Sequence, residues 1–160
     1  MNKELVHVDF EVPEVLETDE FRLRMLTVKD LEKDYDAVMS SVGHLKETNP
    51  FGPGDKWPKD LTREQELIDL GWHQKEFQRK SSFAFTVMSL DESECLGCVY
   101  IYPSKNSDYD AIVLMWVRQS EIEKGLDDIL FSDVKKWISD KWPFEKVAYL
   151  GRDDSWDEFE

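Results

Sequence analysis

Between Asp110 and Ile138 the chain changes its hydrophobic period, and this change constrains the fold more than any other feature. Ala111–Val117 reads Ala-Ile-Val-Leu-Met-Trp-Val, an unbroken apolar run of the kind that forms a strand buried on both faces. Arg118-Gln119-Ser120-Glu121-Ile122-Glu123-Lys124-Gly125 follows, and then Leu126, Ile129, Leu130, Val134, Trp137 and Ile138 recur at helical spacing. Trp142-Pro143 stops that helix. Lys146–Leu150 is a short last strand, ended by Gly151. A strand–helix–strand unit crosses over right-handed and lays its strands parallel or nearly so. A loop delivered by a strand onto a helix N-terminus is also an anion-binding device, because unpaired N–H groups and the helix dipole converge there.

The rest of the chain is built around that unit. Residues 1–20 read as an extended acidic lead-in, with Val12-Pro13 arguing against a helix. Phe21–Leu26 alternates as a strand, and Leu31, Tyr35, Val38, Met39 and Val42 follow helical spacing. Two prolines and two glycines in Asn49–Gly54 impose a loop that Trp57-Pro58 extends. Thr62 and Gln65 form a capping-box pattern for a second helix through Leu67, Ile68, Trp72 and towards Phe77, with Trp72, Trp116 and Trp137 expected in the core. Ser82–Met88 and Leu96–Tyr102 form a hairpin around Asp91–Glu94, and Tyr109–Val117 extends it as a meander. The order is β-α-α-β-β-β-α-β. The expected class is α+β, three-layer αβα, with a mixed, mainly antiparallel sheet between helices. The predicted organisation is a lead-in (1–20), one domain (21–152) and an acidic tail (153–160).

Net charge is −15, and the ends carry most of it: residues 1–20 hold seven acids against Lys3, and residues 153–160 five acids and no base. This disfavours nucleic acid and anionic membrane as partners and suits either a cationic partner or simple solvation. No apolar run approaches the roughly 20 residues of a membrane span, and Met1–Phe10 is too acidic for a signal peptide; a cytoplasmic location is expected. Cys95 and Cys98 form Cys-Leu-Gly-Cys on a predicted strand. Positions i and i+3 of a regular strand face opposite ways, which opposes a disulfide, and no second pair completes a zinc site. No metal is expected.

The element order resembles the GNAT superfamily of acyl-CoA-dependent N-acetyltransferases, and the local text is similar. Phe21–Asp30 with the acid-rich stretch around Tyr35 resembles that family's first strand and helix. Ser82–Met88 with Leu96-Gly97-Cys98-Val99-Tyr100-Ile101-Tyr102 resembles its central hairpin, and Trp116-Val117-Arg118 the end of its next strand. The resemblance spans roughly Phe21–Gly151. It implies that the strand ending at Val117 and the strand at Lys146–Leu150 splay apart and admit the pantetheine of acetyl-CoA, with a backbone N–H polarising the thioester carbonyl. It further implies a pyrophosphate loop of the form Gln/Arg-x-x-Gly-x-Gly/Ala, and hence cofactor contacts from Trp116, Val117, Arg118, Lys124, Gly125 and Leu126. Of that motif only Gly125 and Leu126 match; Ile122 stands at its opening and Asp127 at its last small residue. Glu121, Glu123, Asp127 and Asp128 crowd the same place, and each carboxylate at contact distance repels a phosphate by about 1 kcal/mol in water. Asp127 and Asp128 are also ordinary first-turn acids of a helix.

Acetylation of an amine needs a base to deprotonate the ammonium. Asp110, ahead of the apolar strand, and Glu94, at the hairpin turn, are candidates, although both also suit plain turn acids. The Tyr that often serves this family as acid lies in a C-terminal segment with no counterpart here. Tyr149 is carried as a candidate acid, alongside Tyr100, Tyr102 and Tyr109; His73 lies on the helix that borders the family's acceptor site. The resemblance thus implies an N-acetyltransferase acting on a small-molecule or peptide amine, possible as a homodimer. The alternative is a non-catalytic GNAT-fold binding protein with a degenerate acetyl-CoA site. An antiparallel scaffold unrelated to GNAT would keep its last two strands paired throughout. Trp57 in the loop and Trp156 and Phe159 in the tail are expected to line a pocket or dock on the body.

Overall fold

The computed structural model describes residues 4–159; Met1–Lys3 of the lead-in and Glu160 of the tail lie outside the described residues. Six strands form one sheet in sequence order: β1 (Val15–Glu17), β2 (Arg22–Met25), β3 (Phe83–Met88), β4 (Cys95–Pro103), β5 (Ala111–Val117) and β6 (Val147–Tyr149). All neighbours are antiparallel except β5 and β6, the pair joined by the strand–helix–strand unit. Helices α1 (Leu31–Met39), α2 (Val42–Thr48) and α3 (Arg63–Gln78) lie on one face of the sheet and α4 (Leu126–Lys141) on the other; α5 (Trp156–Phe159) ends the chain. Each face has its own core. Leu126, Leu130, Val134, Trp137 and Ile138 pack against Phe85, Val99, Val113 and Met115. Ala37, Val38 and Leu70 pack against Ala84, Cys98, Leu114 and Trp116 on the other side. The mixed, mainly antiparallel three-layer class is the one expected.

The lead-in and the tail both dock on the body. Val15–Glu17 adds an edge strand, pairing Val15 with Arg24, and Phe10 meets Trp142 with ring centroids 5.6 Å apart. Trp156 lies against Gly52, where a Cβ would come within 2.9 Å of the indole, and Phe159 packs on Tyr109 at 5.5 Å.

Three local expectations give way. The single helix expected over Leu31–Val42 is two, because Ser40 and Ser41 serve the end of β5. Arg118 Nη2 donates to Ser40 Oγ at 3.0 Å, and the Gln119 N–H donates to Ser41 Oγ at 2.9 Å. Helix α3 is capped by Thr62, as expected, but it is rotated. Leu67, Ile68 and Trp72 face outward, Trp72 with 52% of its surface exposed, while Glu66, Leu70 and Phe77 are buried. The inward stripe is Glu66-Leu70-His73-Phe77, which has helical spacing but mixed polarity, so an apolar pattern misses it.

The third difference is in β4. The strand register slips between Val87 and Met88, so that Val87 faces Gly97 and Met88 faces Cys95. This bulge takes up one residue, and Cys95 and Cys98 therefore lie on the same face, in the core beneath α1. The opposite-face reading of the Cys-x-x-Cys holds only for a regular strand. Beside the bulge β4 and β5 approach so closely that a Cβ on Gly97 would lie 2.1 Å from the Trp116 carbonyl oxygen and 3.0 Å from Val117 Cα. Both obstacles are backbone. Gly97→Ala is expected to destabilise the fold by at least ~2 kcal/mol, read as a lower denaturation midpoint in urea; an unchanged midpoint would contradict this packing.

Candidate functional site

Strands β5 and β6 pair for only three residues, Ala111 to Val113 against Val147 to Tyr149. They then part, and Leu114–Val117 keeps only β4 as a strand neighbour. The unrelated-scaffold reading required continuous pairing and is set aside. The gap opens into a cleft of about 410 Å³ lined by Met115, Trp116 and Val117 on one side and Leu150–Arg152 on the other, with the start of α4 beneath and Asn49, Pro50 and Trp156 above. Gly125 caps α4 at φ +78° with no side-chain acceptor, and nothing lies within 4 Å of where its Cβ would be. The first-turn amides of α4 are thus uncapped by any side chain at the floor of the cleft.

The acids around that floor are partly neutralised. Arg152 Nη1 and Nη2 donate to the two Asp127 carboxylate oxygens at 2.7 and 2.9 Å, a bidentate pair. Glu121 pairs with Lys124 at 2.9 Å. Arg152 Nη2 also donates to the Met115 carbonyl at 3.3 Å, so its guanidinium bridges the two parted strands. Nothing in the sequence motif marked Arg152, because its role depends on the path of the chain after Gly151.

Of the residues expected at the cofactor, Trp116, Val117 and Gly125 line the cleft. Leu126 is buried in the core beneath α4. Lys124 is exposed and held by Glu121. Arg118 turns inward and is 93% buried; Nη1 donates to the Cys95 carbonyl at 3.1 Å, and Nη2 donates to Asp36 at 3.2 Å and to Ser40. It anchors β5 to α1 instead of reaching the cleft. The catalytic candidates lie elsewhere. Asp110 Oδ2 accepts from the Glu145 and Lys146 amides at 2.8 and 3.0 Å, fixing the start of β6. Glu94 sits at the exposed hairpin turn, 4.0 Å from Arg118. Tyr149 packs on Phe131 on the α4 face, at 5.5 Å. Of these three, none lines the cleft or the cavity beside it.

That cavity, about 280 Å³, lies between α1, α3 and β4. Its walls are aromatic (Phe51, Trp57, Tyr100, Tyr102) and its polar groups are Asp34, Asp55, Glu66, Asp69 and His73. The position of α1 is set by the capping box of Thr27 and Asp30 and by Arg24, which donates to Asp30 at 2.9 and 3.1 Å. Trp116 Nε1 donates to the Tyr100 hydroxyl at 3.0 Å, so one hydrogen bond joins the wall of the cleft to the wall of the cavity. Burial, and then the neighbouring Cys98 and Asp34, pushes the Tyr100 hydroxyl far up, so it keeps its proton. Burial pushes Glu66 up to about 9, and the Asp34 carboxyl beside it adds to the rise. His73 stacks obliquely on Tyr100 at 5.4 Å, its Nδ1 has no hydrogen-bond partner, and burial lowers its pKa to about 4. It is neutral across the physiological range.

No protein-family model matches the sequence, and no curated protein does. Solved structures do. A ribosomal-protein-S5-alanine acetyltransferase from Vibrio fischeri aligns with a TM-score of 0.68 at 16% identity, over 89% of this chain and 77% of that one. An acetyltransferase from Salmonella typhimurium that modifies the N-terminal serine of ribosomal protein L7/L12 aligns at 0.63 and 11% identity, over 81% and 70%. The microcin C7 self-immunity acetyltransferase MccE, solved with acetyl-CoA and AMP, aligns at 0.58 and 13%, over 78% and 66%. The chain spans 63% to 77% of the length of the first four such structures. Its fold is that of the GNAT acetyltransferases.

The buried His73 makes stability pH-dependent. Its pKa is about 4 in the folded chain and about 6.5 when unfolded. The unfolded chain therefore binds a proton first, and the contribution is full above pH ~6.5 and lost as pH falls towards 4, by roughly 3 kcal/mol. His73→Gln should flatten the melting temperature between pH 7 and 4.5 relative to the parent protein. An equal slope in both would contradict the burial of a neutral imidazole.

Proposed function

We propose that this protein is an acetyl-CoA-dependent N-acetyltransferase, with the donor in the β5/β6 cleft and a cationic amine in the cavity between α1, α3 and β4. The single observation that carries the reading is the parting of β5 and β6 after Val113, directly above the uncapped start of α4. The residues present fit the donor. The unpaired edge of β5 at Leu114–Val117 offers backbone groups to a pantetheine arm, and the first-turn amides of α4 after Gly125 have no side-chain cap and suit a pyrophosphate. Arg152 cancels the charge of Asp127, the carboxylate at the motif's last small position. To take the arm along Met115, Arg152 releases that carbonyl and keeps Asp127. Bound acetyl-CoA supplies a thioester carbonyl open to attack by an amine.

The acceptor side favours cations: Asp55 and Asp69 offer oxygens to an ammonium, and the aromatic walls attract it through their π faces. His73, neutral and on the cavity wall, takes up the proton that the amine loses only transiently and passes it to water. Tyr100, protonated and held by Trp116 at the boundary of the two spaces, is the O–H donor for the departing thiolate. A protein or peptide amine is compatible with this arrangement, since neighbours of the same fold modify ribosomal proteins. The second reading, a non-catalytic binding protein, is favoured by one contact, the closure of the gap by Arg152 on Met115.

Acetyl-CoA at a hundred times its dissociation constant should stabilise the chain by about 2.7 kcal/mol, read as a raised melting temperature. Gly125→Asp, which places a carboxylate at the open cap, should abolish the rise, and Arg152→Gln, by unmasking Asp127, should weaken acetyl-CoA binding about 5-fold and cut the stabilisation by about 1 kcal/mol. No rise in the parent protein would remove the enzyme reading and leave the binding protein. With an accepted amine, His73→Gln should lower kcat roughly 100-fold while leaving the acetyl-CoA stabilisation intact; unchanged kcat would exclude His73 as the proton acceptor.

A further inference from the structure

Beside the cavity, α1 and the bulged end of β4 bring together three groups that metal ions favour. Asp34 Oδ1 lies 3.2 Å from Cys98 Sγ and 4.0 Å from Cys95 Sγ, and one ligand atom from each residue falls within a mutual span of 4.8 Å. Ligands held about 2.0 Å (oxygen) and 2.3 Å (sulfur) from a tetrahedral zinc ion stand roughly 3.5–3.8 Å from one another. The observed spacing brackets that value. All three side chains are 97% or more buried, and both thiols are free. The carboxyl opens on the cavity; the thiols are in the core behind it.

The surroundings fit a cation bound there. As thiolates and carboxylate the three groups carry three negative charges. A divalent ion cancels two, and the buried Arg118 guanidinium, which donates to the Cys95 carbonyl, cancels the third. Among the described residues, the charge of Arg118 is otherwise met only by Asp36 and Glu94, whose side chains are 71% and 62% exposed. Glu66, 96% buried in the same cavity as Asp34, has a carboxyl oxygen without any hydrogen-bond partner. A buried carboxyl oxygen without a partner is costly, and a metal-bound water would satisfy it. The expectation of no metal rested on the lack of a second pair to complete a zinc site; the bulge at Val87/Met88 puts both thiols on one face, where Asp34 joins them.

We propose that Asp34, Cys95 and Cys98 bind one divalent ion of the zinc class, with a water from the cavity in the fourth position and Glu66 accepting a hydrogen bond from that water. The site shares Asp34 and Glu66 with the proposed acceptor cavity, but its test does not depend on acetyl transfer. Its test is titration of the full-length, reduced, chelator-treated protein with cobalt(II). One equivalent should produce the near-ultraviolet sulfur-to-cobalt charge-transfer band and the intense visible bands of tetrahedral cobalt, and zinc should displace them one for one. The Cys95→Ser/Cys98→Ser variant should lose the charge-transfer band, and Asp34→Asn should bind zinc at least ~10-fold more weakly, with folding of each checked by circular dichroism. No band in the folded parent protein, or a band that survives the double serine replacement, overturns the proposal. The parent titration decides even where a variant fails to fold.

Discussion

Beyond Val113, β5 has a strand neighbour on one side only, and the other distinctive features of the molecule follow from that. A central strand that loses its partner must be held in place by something else. Here the hold is double. On the β4 side the two backbones close to a distance only Gly97 permits. At the end of the strand, Arg118 enters the core and ties the turn to Ser40, Asp36 and Cys95, while Ser41 receives the next amide. The break between α1 and α2 exists to supply those two serines. With β5 fixed in this way, its free edge stands open above the start of α4 without unravelling.

Electrostatics decide what that opening can hold. Four acids in 121–128 look hostile to a polyanion, but two of them have local partners in Lys124 and Arg152. The Asp127–Arg152 pair is bidentate and partly shielded, so it is a stronger neutraliser than an exposed ion pair. Glu123 and Asp128 remain, each costing about 1 kcal/mol against a phosphate at contact distance in water. That is a weakened anion site, in balance with the uncapped amides and the helix dipole beneath it. The cavity between α1, α3 and β4 has the opposite character: acidic side chains and aromatic rings around a neutral imidazole, with Glu66 kept protonated by burial.

The hairpin, the meander and the strand–helix–strand unit with parallel strands were legible in the sequence because each rests on local periodicity and turn chemistry, whereas the edge strand Val15–Glu17 and the separate helix α2 were not. Trp116, Val117 and Gly125 were expected at the cleft from the resemblance to GNAT enzymes, and a strand end and a glycine at a helix start bring them there. Arg118 misled because its side chain answers to the distant Ser40 and Asp36, not to its own loop. Asp110, Glu94 and Tyr149 were chosen for proximity along the chain to the expected cleft, and tertiary packing turned each to other work. The inward stripe Glu66-Leu70-His73-Phe77 was obscured by the more apolar Leu67, Ile68 and Trp72, which the rotation of α3 exposes. The shared face of Cys95 and Cys98 depends on a bulge, and a one-residue slip of register leaves no trace in an alternating pattern.

The account depends on acetyl-CoA entering where β5 and β6 part. Amide hydrogen exchange with and without acetyl-CoA tests this most directly. Slowed exchange confined to Leu114–Val117 and the first turn of α4, with β2, β3 and the lead-in unchanged, is the predicted result. Unchanged exchange at those amides under a large excess of acetyl-CoA would contradict it.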